Sequence, residues 1–206
     1  RGLERQVRAA FTGKAAIKTD DFLRTLADQD DVELLAAGML AAGAATTRKP
    51  AKGTHAKGDV EVVHVGDLTI GGDCDAINLV GYALPQTRAN AGETLALTLY
   101  WRTEAPQDTR YKVFTHLLGT TYNARTGNFL WGQQDNEPVS GQAATTLWAP
   151  GMIIEDPYLI HVDAGAPPGL YAVEVGMYGL IDGVRLAVAG EGDAIRLAEI
   201  EVEAVP

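Results

Sequence analysis

The stretch ETLALTLYW, residues 93–101, decides the fold class of this chain. Leu95, Leu97, Leu99 and Trp101 occupy every second position in it, and mostly polar residues fill the positions between them. Successive side chains of a strand point to opposite faces of a sheet, whereas a helix repeats about every 3.6 residues. The period of two therefore predicts a half-buried β-strand.

Similar apolar segments recur from Asp59 to Pro206. Turns rich in Gly, Pro, Asn and Asp separate them, and no amphipathic helix intervenes. This pattern predicts an antiparallel β-sandwich, Ig-like or jelly-roll-like, of about eight or nine strands. The strands are expected near residues 60–65, 76–84, 94–102, 111–118, 129–135, 153–162, 170–178, 184–188 and 195–202.

The strand expected near residues 153–162 contains a charged residue among apolar ones. Ile154, Tyr158 and Ile160 are predicted to face the core, with Asp156 and His161 on the opposite side. Large apolar side chains gain most by burial, while a carboxylate is costly to bury without partners. Asp156 is accordingly expected at the surface.

Residues 1–45 are predicted to form a short helical arm. Asp30 and Glu33 have the spacing of a capping box with Asp in the usual Ser/Thr place. Apolar residues follow at helical spacing, namely Leu34, Leu35, Met39 and Leu40. Small residues later in the segment would let a partner or the sandwich pack closely. The arm is therefore a candidate docking element.

Residues 46–58, TTRKPAKGTHAKG, are polar and basic, which predicts a linker before a sandwich domain at 59–206. Residues 1–58 contain 10 Lys/Arg and 7 Asp/Glu, whereas residues 59–206 contain 7 Lys/Arg and 20 Asp/Glu. An acidic body repels nucleic-acid phosphates and anionic lipid, so we expect no nucleic-acid partner. No apolar stretch is long enough to predict a membrane span.

Cysteine and histidine usage gives little support for metal or nucleophilic chemistry. Cys74 is single and cannot form an internal disulfide. His55, His64, His116 and His161 are scattered, with no HxH or HExxH spacing. We therefore predict no catalytic residue and no resident cofactor.

Two carboxylate pairs leave an enzymatic alternative open. Asp135 and Glu137 lie in QQDNEP, and Glu155 and Asp156 lie in IIEDPY. A facing pair could hydrolyse a glycosidic bond, but neighbouring residues on a strand point to opposite faces. We expect Asp135 to accept backbone N–H bonds that fix the turn into Pro138 instead.

Structural Ca²⁺ is another use for such oxygens, because Ca²⁺ takes several carboxylate and carbonyl ligands. The candidate ligands are Asp135 and Asp156, and also Asp73 and Asp75 in the acidic loop GGDCDA. No ligand run of the EF-hand type is present. Structural Ca²⁺ is therefore one alternative, and the sequence does not indicate any other metal.

Aromatic and polar side chains are the candidate ligand or partner contacts. An aromatic platform could stack sugar rings, but large aromatics also fill cores. Trp101 is assigned to the core, whereas Trp131 is the preferred exposed anchor. The full candidate set is Trp131, Trp148, Tyr158, Tyr122 and Asn128.

The order of sequence blocks resembles a β-sandwich accessory module of bacterial envelope proteins, which often lies C-terminal to membrane-embedded glycosyltransferases. The blocks are INLVGYALPQ, AGETLALTLYWRTEAP, YKVFTHLL, QQDNEPVSGQAATTLWAPG, APPGLYAVEVGMY and GDAIRLAEIEV. The resemblance implies a sandwich fold and a cell-envelope or extracellular location, without an assigned reaction. This chain differs by the insertion GTTYNARTGNF at residues 119–129, a candidate contact loop.

We therefore predict a non-catalytic structural or interaction module of a cell-envelope or extracellular assembly. The sandwich would be the scaffold, and the helical arm or the inserted loop would contact a protein partner or a second copy. A carbohydrate-binding module is the alternative, and a glycan-active enzyme is the third reading.

Overall fold

The protein is mostly β in the residues that the structure, a computed structural model, describes. Residues 70, 77–188 and 192–203 are described with their side chains, and residues 16–18, 34–35 and 61–69 by their backbone. The strands are β1 Ala16–Lys18, β2 Leu34–Leu35, β3 Glu61–Ile70, β4 Ile77–Ala83, β5 Arg88–Asn90, β6 Thr94–Thr103, β7 Tyr111–Asn123, β8 Asn128–Asn136, β9 Ile153–His161, β10 Gly169–Gly179 and β11 Ile195–Glu203. The mostly-β prediction is confirmed.

The strands form two sheets. The six-stranded sheet has the order β1-β3-β4-β6-β9-β2, and the five-stranded sheet has the order β5-β11-β10-β7-β8. Most neighbouring pairs are antiparallel, as predicted, but β2 runs parallel to β9 and β5 runs parallel to β11. β2 and β5 have only two and three residues, which is too short for a period of two to be recognised in the sequence.

One hydrophobic core lies between the two sheets. The inward side chains of β6 are Leu95, Leu97, Leu99 and Trp101, and all four are buried. Val113 of β7 and the apolar side chains of β10 oppose them in the same core. The period of two in residues 93–101 thus identified the buried face of β6.

The predicted elements are wrong in three places: at residues 34–35, at residues 184–188 and at the missed strand β5. Leu34 and Leu35 are extended and pair with Ile153 and Ile154, not helical. Most of the predicted helical arm and the whole linker 46–58 lie outside the described residues. Residues 184–188 contain two isolated bridges instead of a strand, and the short β5 was missed.

The connection from β8 to β9 contains an unusual turn at Pro138–Gly141. Val139 and Ser140 have φ angles of 54° and 53°, a left-handed conformation that costs a residue with a Cβ roughly 1–2 kcal/mol. Val139 is nevertheless buried. A β-branched residue keeps this conformation only when its surroundings hold it there. The backbone N–H of Val139 donates to the buried carboxylate of Asp156 at 2.7 Å, and its carbonyl accepts from the N–H of Gln142 at 3.1 Å.

Candidate functional site

The predicted aromatic platform is part of the hydrophobic core. Trp131, Trp148 and Tyr158 expose only 8%, 3% and 2% of their surface. Each tryptophan ring nitrogen donates to a main-chain oxygen, Trp131 to Thr121 at 2.9 Å and Trp148 to Ala143 at 2.9 Å. The prediction that Trp131 is an exposed anchor is wrong, because its polar atom already has a partner and its ring is worth more buried.

Asp156 is also in the core, and its predicted position on the opposite side of β9 from Ile154 is wrong. Counting by two from Ile154 places Asp156 on the inward side of β9, and it is 0% exposed. Its Oδ2 accepts hydrogen bonds from Trp101 Nε1 at 3.1 Å and Tyr158 Oη at 2.6 Å. Its Oδ1 accepts from the backbone N–H of Val139 at 2.7 Å. Asp156, and not Asp135, therefore fixes the turn after Pro138.

Burial dominates the acid–base properties of this cluster. It raises the pKa of Asp156 from 3.8 to about 6, although the hydrogen bonds from Tyr158, Val139 and Trp101 favour the ionised form. Burial, together with the charge of Asp156, raises the pKa of Tyr158 well above 10.0. Both oxygens of Asp156 already accept protein hydrogen bonds, so this carboxylate serves the structure.

The other predicted carboxylates have different partners. Glu137 forms a two-pronged ion pair with Arg110, at 2.7 and 2.6 Å. Glu155 follows Ile154 on β9 and so lies on the outer side of the six-stranded sheet, where burial raises its pKa. Asp135 is paired with Phe114 on the outer side of the five-stranded sheet. Glu155 and Asp135 therefore lie on the outer sides of different sheets.

The calcium prediction loses one of its ligands. Asp156 is sealed in the core and has its oxygens occupied, so it is not available to an ion. Within the described residues, no group of three His, Cys, Asp or Glu side chains is placed to hold a metal ion. Asp73 and Asp75 lie outside the described residues.

The inserted loop forms the far end of the β7–β8 hairpin, which we call the hairpin tip (residues 119–129). Tyr122 and Phe129 are exposed by 58% and 49%, and Asn128 is exposed beside them. The rings of Tyr122 and Phe129 meet edge to face, with centroids 5.9 Å apart at 85°. They are cross-strand neighbours, one step from the pair Asn123–Asn128. The two rings present one apolar contact to solvent.

Hydrogen bonds within the hairpin tip fix its turn. The buried Asn123 donates from Nδ2 to the carbonyl of Leu130 at 2.9 Å, and its Oδ1 accepts the N–H of Arg125 at 3.0 Å. Asn128 Oδ1 accepts from Thr126 Oγ1 and from the N–H of Leu130, each at 2.8 Å. These side chains replace the backbone ladder where the β7–β8 register is irregular.

A second set of bonds ties the hairpin tip to the loop after β9. Arg125 pairs with Asp163 at 2.9 Å, and the same carboxylate oxygen accepts the N–H of Gly165 at 2.7 Å. The N–H of Asp163 donates to the carbonyl of Trp131 at 2.7 Å. These bonds tie the segment that contains the exposed aromatic pair to the rest of the fold.

Sequence reasoning placed a contact in this loop but missed Phe129 as a contact residue. Trp131, two residues further on, is the predicted anchor because it lies beside the inserted loop. The available signal was symmetry: Tyr122 and Phe129 flank the turn-forming segment NARTGN at equal distances, so a hairpin brings them side by side. Other large exposed apolar residues are aliphatic, among them Leu147, Leu159 and Ile181.

We expect Asn123→Ala to loosen the hairpin tip and to lower the free energy of unfolding by about 1 to 2 kcal/mol, because two hydrogen bonds of a buried side chain are lost. Urea unfolding measures the total, and amide hydrogen exchange of residues 121–130 locates it. Thr120→Ala, at an exposed position of the same tip, is the matched control and should change little. Equal stability of the two variants would contradict the bracing role of Asn123.

The fold and the hairpin tip together define the class: a mostly-β protein that presents a braced, exposed aromatic pair. No protein-family model matches the sequence, and no curated protein matches it. Among solved structures, it is similar to the Pseudomonas fluorescens alkylpurine DNA glycosylase AlkC bound to DNA containing an abasic-site analogue, at 17% identity. The likeness covers 59% of this chain and 29% of that chain with a TM-score of 0.30.

In the part of the chain that the structure describes, none of the helices has the length and apolar character needed to cross a bilayer.

Proposed function

We propose that this protein is a non-catalytic structural and interaction module of a cell-envelope or extracellular assembly. The two-sheet body, which we assign to the Ig-like or jelly-roll-like antiparallel sandwiches, is the scaffold, and the hairpin tip is the contact with a protein partner. The resemblance of residues 77–202 to an envelope accessory module supports the location. The docking role predicted for residues 1–45 falls mostly outside the described residues, so the proposal rests on the hairpin.

One observation carries the proposal: Tyr122 and Phe129 stay exposed although bonds inside and outside the tip hold them in place. Aromatic residues are enriched at the centres of protein interfaces, where a few of them supply most of the affinity. A rigid pair loses little side-chain entropy when a partner covers it. An exposed, ordered aromatic pair is therefore typical of a contact surface.

The geometry of the rings favours a protein partner over a glycan. Sugar rings stack on flat aromatic surfaces, whereas the planes of Tyr122 and Phe129 stand at 85°. The side-chain oxygens of Asn123 and Asn128, which could bond hydroxyl groups, already accept hydrogen bonds within the tip. The placement of Glu155 and Asp135 on different sheets likewise supports a role without catalysis.

Site-specific photo-crosslinking in the cells that produce the protein tests this function. With p-benzoylphenylalanine at position 129, we expect a discrete adduct with one protein, and with the probe at Leu159 we expect none. Leu159 is a suitable control because it is 65% exposed and lies on β9. Adding Tyr122→Ser to the position-129 probe should lower the adduct about tenfold, the effect of a residue that contributes strongly to binding.

Equal labelling at positions 129 and 159, or an adduct that is insensitive to Tyr122→Ser, would contradict the proposed contact. Sedimentation of the purified chain distinguishes the kind of partner. A concentration-dependent dimer that Tyr122→Ser abolishes would make the partner a second copy.

A further inference from the structure

A second buried cluster lies on the outer side of the five-stranded sheet, away from the hairpin tip. Phe114 follows the inward-facing Val113 on β7 and so points outward, yet it is only 1% exposed. Its ring lies over Gly176 of β10, so close that a side chain there would collide with the ring. An outward aromatic residue this well buried must be covered by another part of the chain.

Part of the cover is residues 180–186, which we call the strap. The guanidinium carbon of Arg185 lies 4.2 Å from the centroid of the Phe114 ring. Arg185 also pairs with Asp193 at 3.2 Å. Backbone bonds join the strap to β10, from Leu186 N–H to Met177 at 2.9 Å and from Gly179 N–H to Val184 at 2.9 Å. The strap thus holds one cation over the ring.

His116 lies two residues along β7 from Phe114, and its side chain is mostly buried. The two ring centroids are 4.6 Å apart. His116 Nε2 is 3.8 Å from Asp135 Oδ1, too far for a hydrogen bond. That oxygen is inaccessible to solvent and has no hydrogen-bond partner within the described residues, although Tyr178 Oη lies 3.4 Å from the other oxygen. Asp135 Oδ1 is therefore placed to accept a hydrogen bond from His116 Nε2 if the two groups move closer.

Titratable and charged groups face His116 from every neighbouring element. Asp135 lies on β8, and Glu174 and Tyr178 lie on β10, with Glu174 directly opposite His116. The strap side contributes Arg185 and Asp193, and β7 itself contributes Lys112. Burial lowers the pKa of His116, the charge of Asp135 raises it, and the charge of Arg185 lowers it. Near neutral pH the imidazole is uncharged, and Arg185 is the cation beside Phe114.

We propose that the strap is an acid-released cover: protonated His116 bonds to Asp135 and repels Arg185, so that the guanidinium leaves the Phe114 ring and the strap opens. Opening uncovers an aromatic and carboxylate surface made by Phe114, Tyr178 and Asp135. The proton binds more tightly when His116 is solvated, so lower pH favours the open form. Release begins as the pH falls through the ordinary value of 6.5 and is complete below the lowered pKa.

Amide hydrogen exchange, corrected for the intrinsic rate at each pH, tests the strap at about pH 7.5 and about pH 5. We expect the protection of Gly179 and Leu186 to fall several-fold on acidification, while amides of the core strands keep theirs. His116→Gln should abolish the fall. His161→Gln, which removes an exposed histidine of β9, should retain it. The same fall in His116→Gln, or none in the natural sequence, would overturn the proposal.

A second variant keeps the proposal testable if His116→Gln folds poorly. Arg185→Gln removes the repelling charge, so the pKa of His116, followed by NMR titration of its ring protons, should rise. The strap of this variant should also lose its dependence on pH. An unchanged pKa of His116 in Arg185→Gln would show that the two groups are not coupled and would refute the mechanism.

Discussion

Replacing Asp156 by alanine should lower the free energy of unfolding by about 3 kcal/mol near pH 7, because three buried donors lose their acceptor. Trp101 Nε1, Tyr158 Oη and the N–H of Val139 all donate to this carboxylate. Each unsatisfied donor costs roughly 1–3 kcal/mol, and removing the buried charge offsets part of the sum. The left-handed turn at Val139 also loses the bond that holds it.

The deficit of Asp156→Ala should grow as the pH falls. Because the folded-state pKa of Asp156 is about 6, above its ordinary 3.8, the folded protein binds a proton more tightly than the unfolded chain. Ionised Asp156 therefore costs stability at pH 7, and the natural protein regains on the order of 1 kcal/mol at pH 5 through this group. The alanine variant cannot regain it.

Urea unfolding of both proteins at the two pH values measures the deficit. Asp108→Ala is the control, since it removes one negative charge from an exposed position of the same acidic body. Its deficit should be near zero and independent of pH. An Asp156→Ala variant with the stability of the control would contradict the central role of this carboxylate.

Gly132→Val should lower the free energy of unfolding by about 2 to 3 kcal/mol, the upper range for overpacking a filled site. A Cβ at Gly132 would lie 2.7 Å from the carbonyl oxygen of His161 and 3.3 Å from Leu117 Cβ. The loop cannot yield easily, because the flanking Val162 N–H donates to Glu93 and Asp163 N–H donates to Trp131. The same displacement would loosen the hairpin tip.

Gln133→Val is the matched control for Gly132→Val. It places the same side chain on the next residue of β8, where the position is exposed, and should change stability by less than about 0.5 kcal/mol. Urea unfolding separates the two variants. If Gly132→Val were as stable as Gln133→Val, β8 and the loop after β9 would have to be less closely packed than their contacts indicate.

The two proposals concern different parts of the β7–β8 hairpin: the hairpin tip and the outer side of β7 around Phe114. In the first proposal the tip with Tyr122 and Phe129 binds its partner without a pH-dependent step, whereas in the second Phe114 is reachable only after the strap opens. The two proposals can fail separately, since photo-crosslinking at position 129 does not depend on His116. If the adduct at position 129 does not depend on pH, the acid-released cover is tested by hydrogen exchange alone.

The sequence by itself determined the β class, most strand positions and the place of the exposed hairpin loop. Alternation in residues 93–101 identified the inward face of β6, because the period of a strand depends only on the local backbone. The insertion is polar and rich in turn-forming residues, which favours a hairpin end, and most of its side chains are exposed. Tyr122 was found for that reason.

Only the tertiary structure decided which candidate side chains are exposed and which are buried. Trp131 is covered and Phe129 is not, although they lie two residues apart, because the register changes where β7 and β8 leave the sheet. Asp156 is tolerated in the core only because Trp101, Tyr158 and Val139 converge on it from other parts of the chain. Local pattern shows which face a residue occupies, but not what covers that face, and covering depends on contacts between residues distant in sequence.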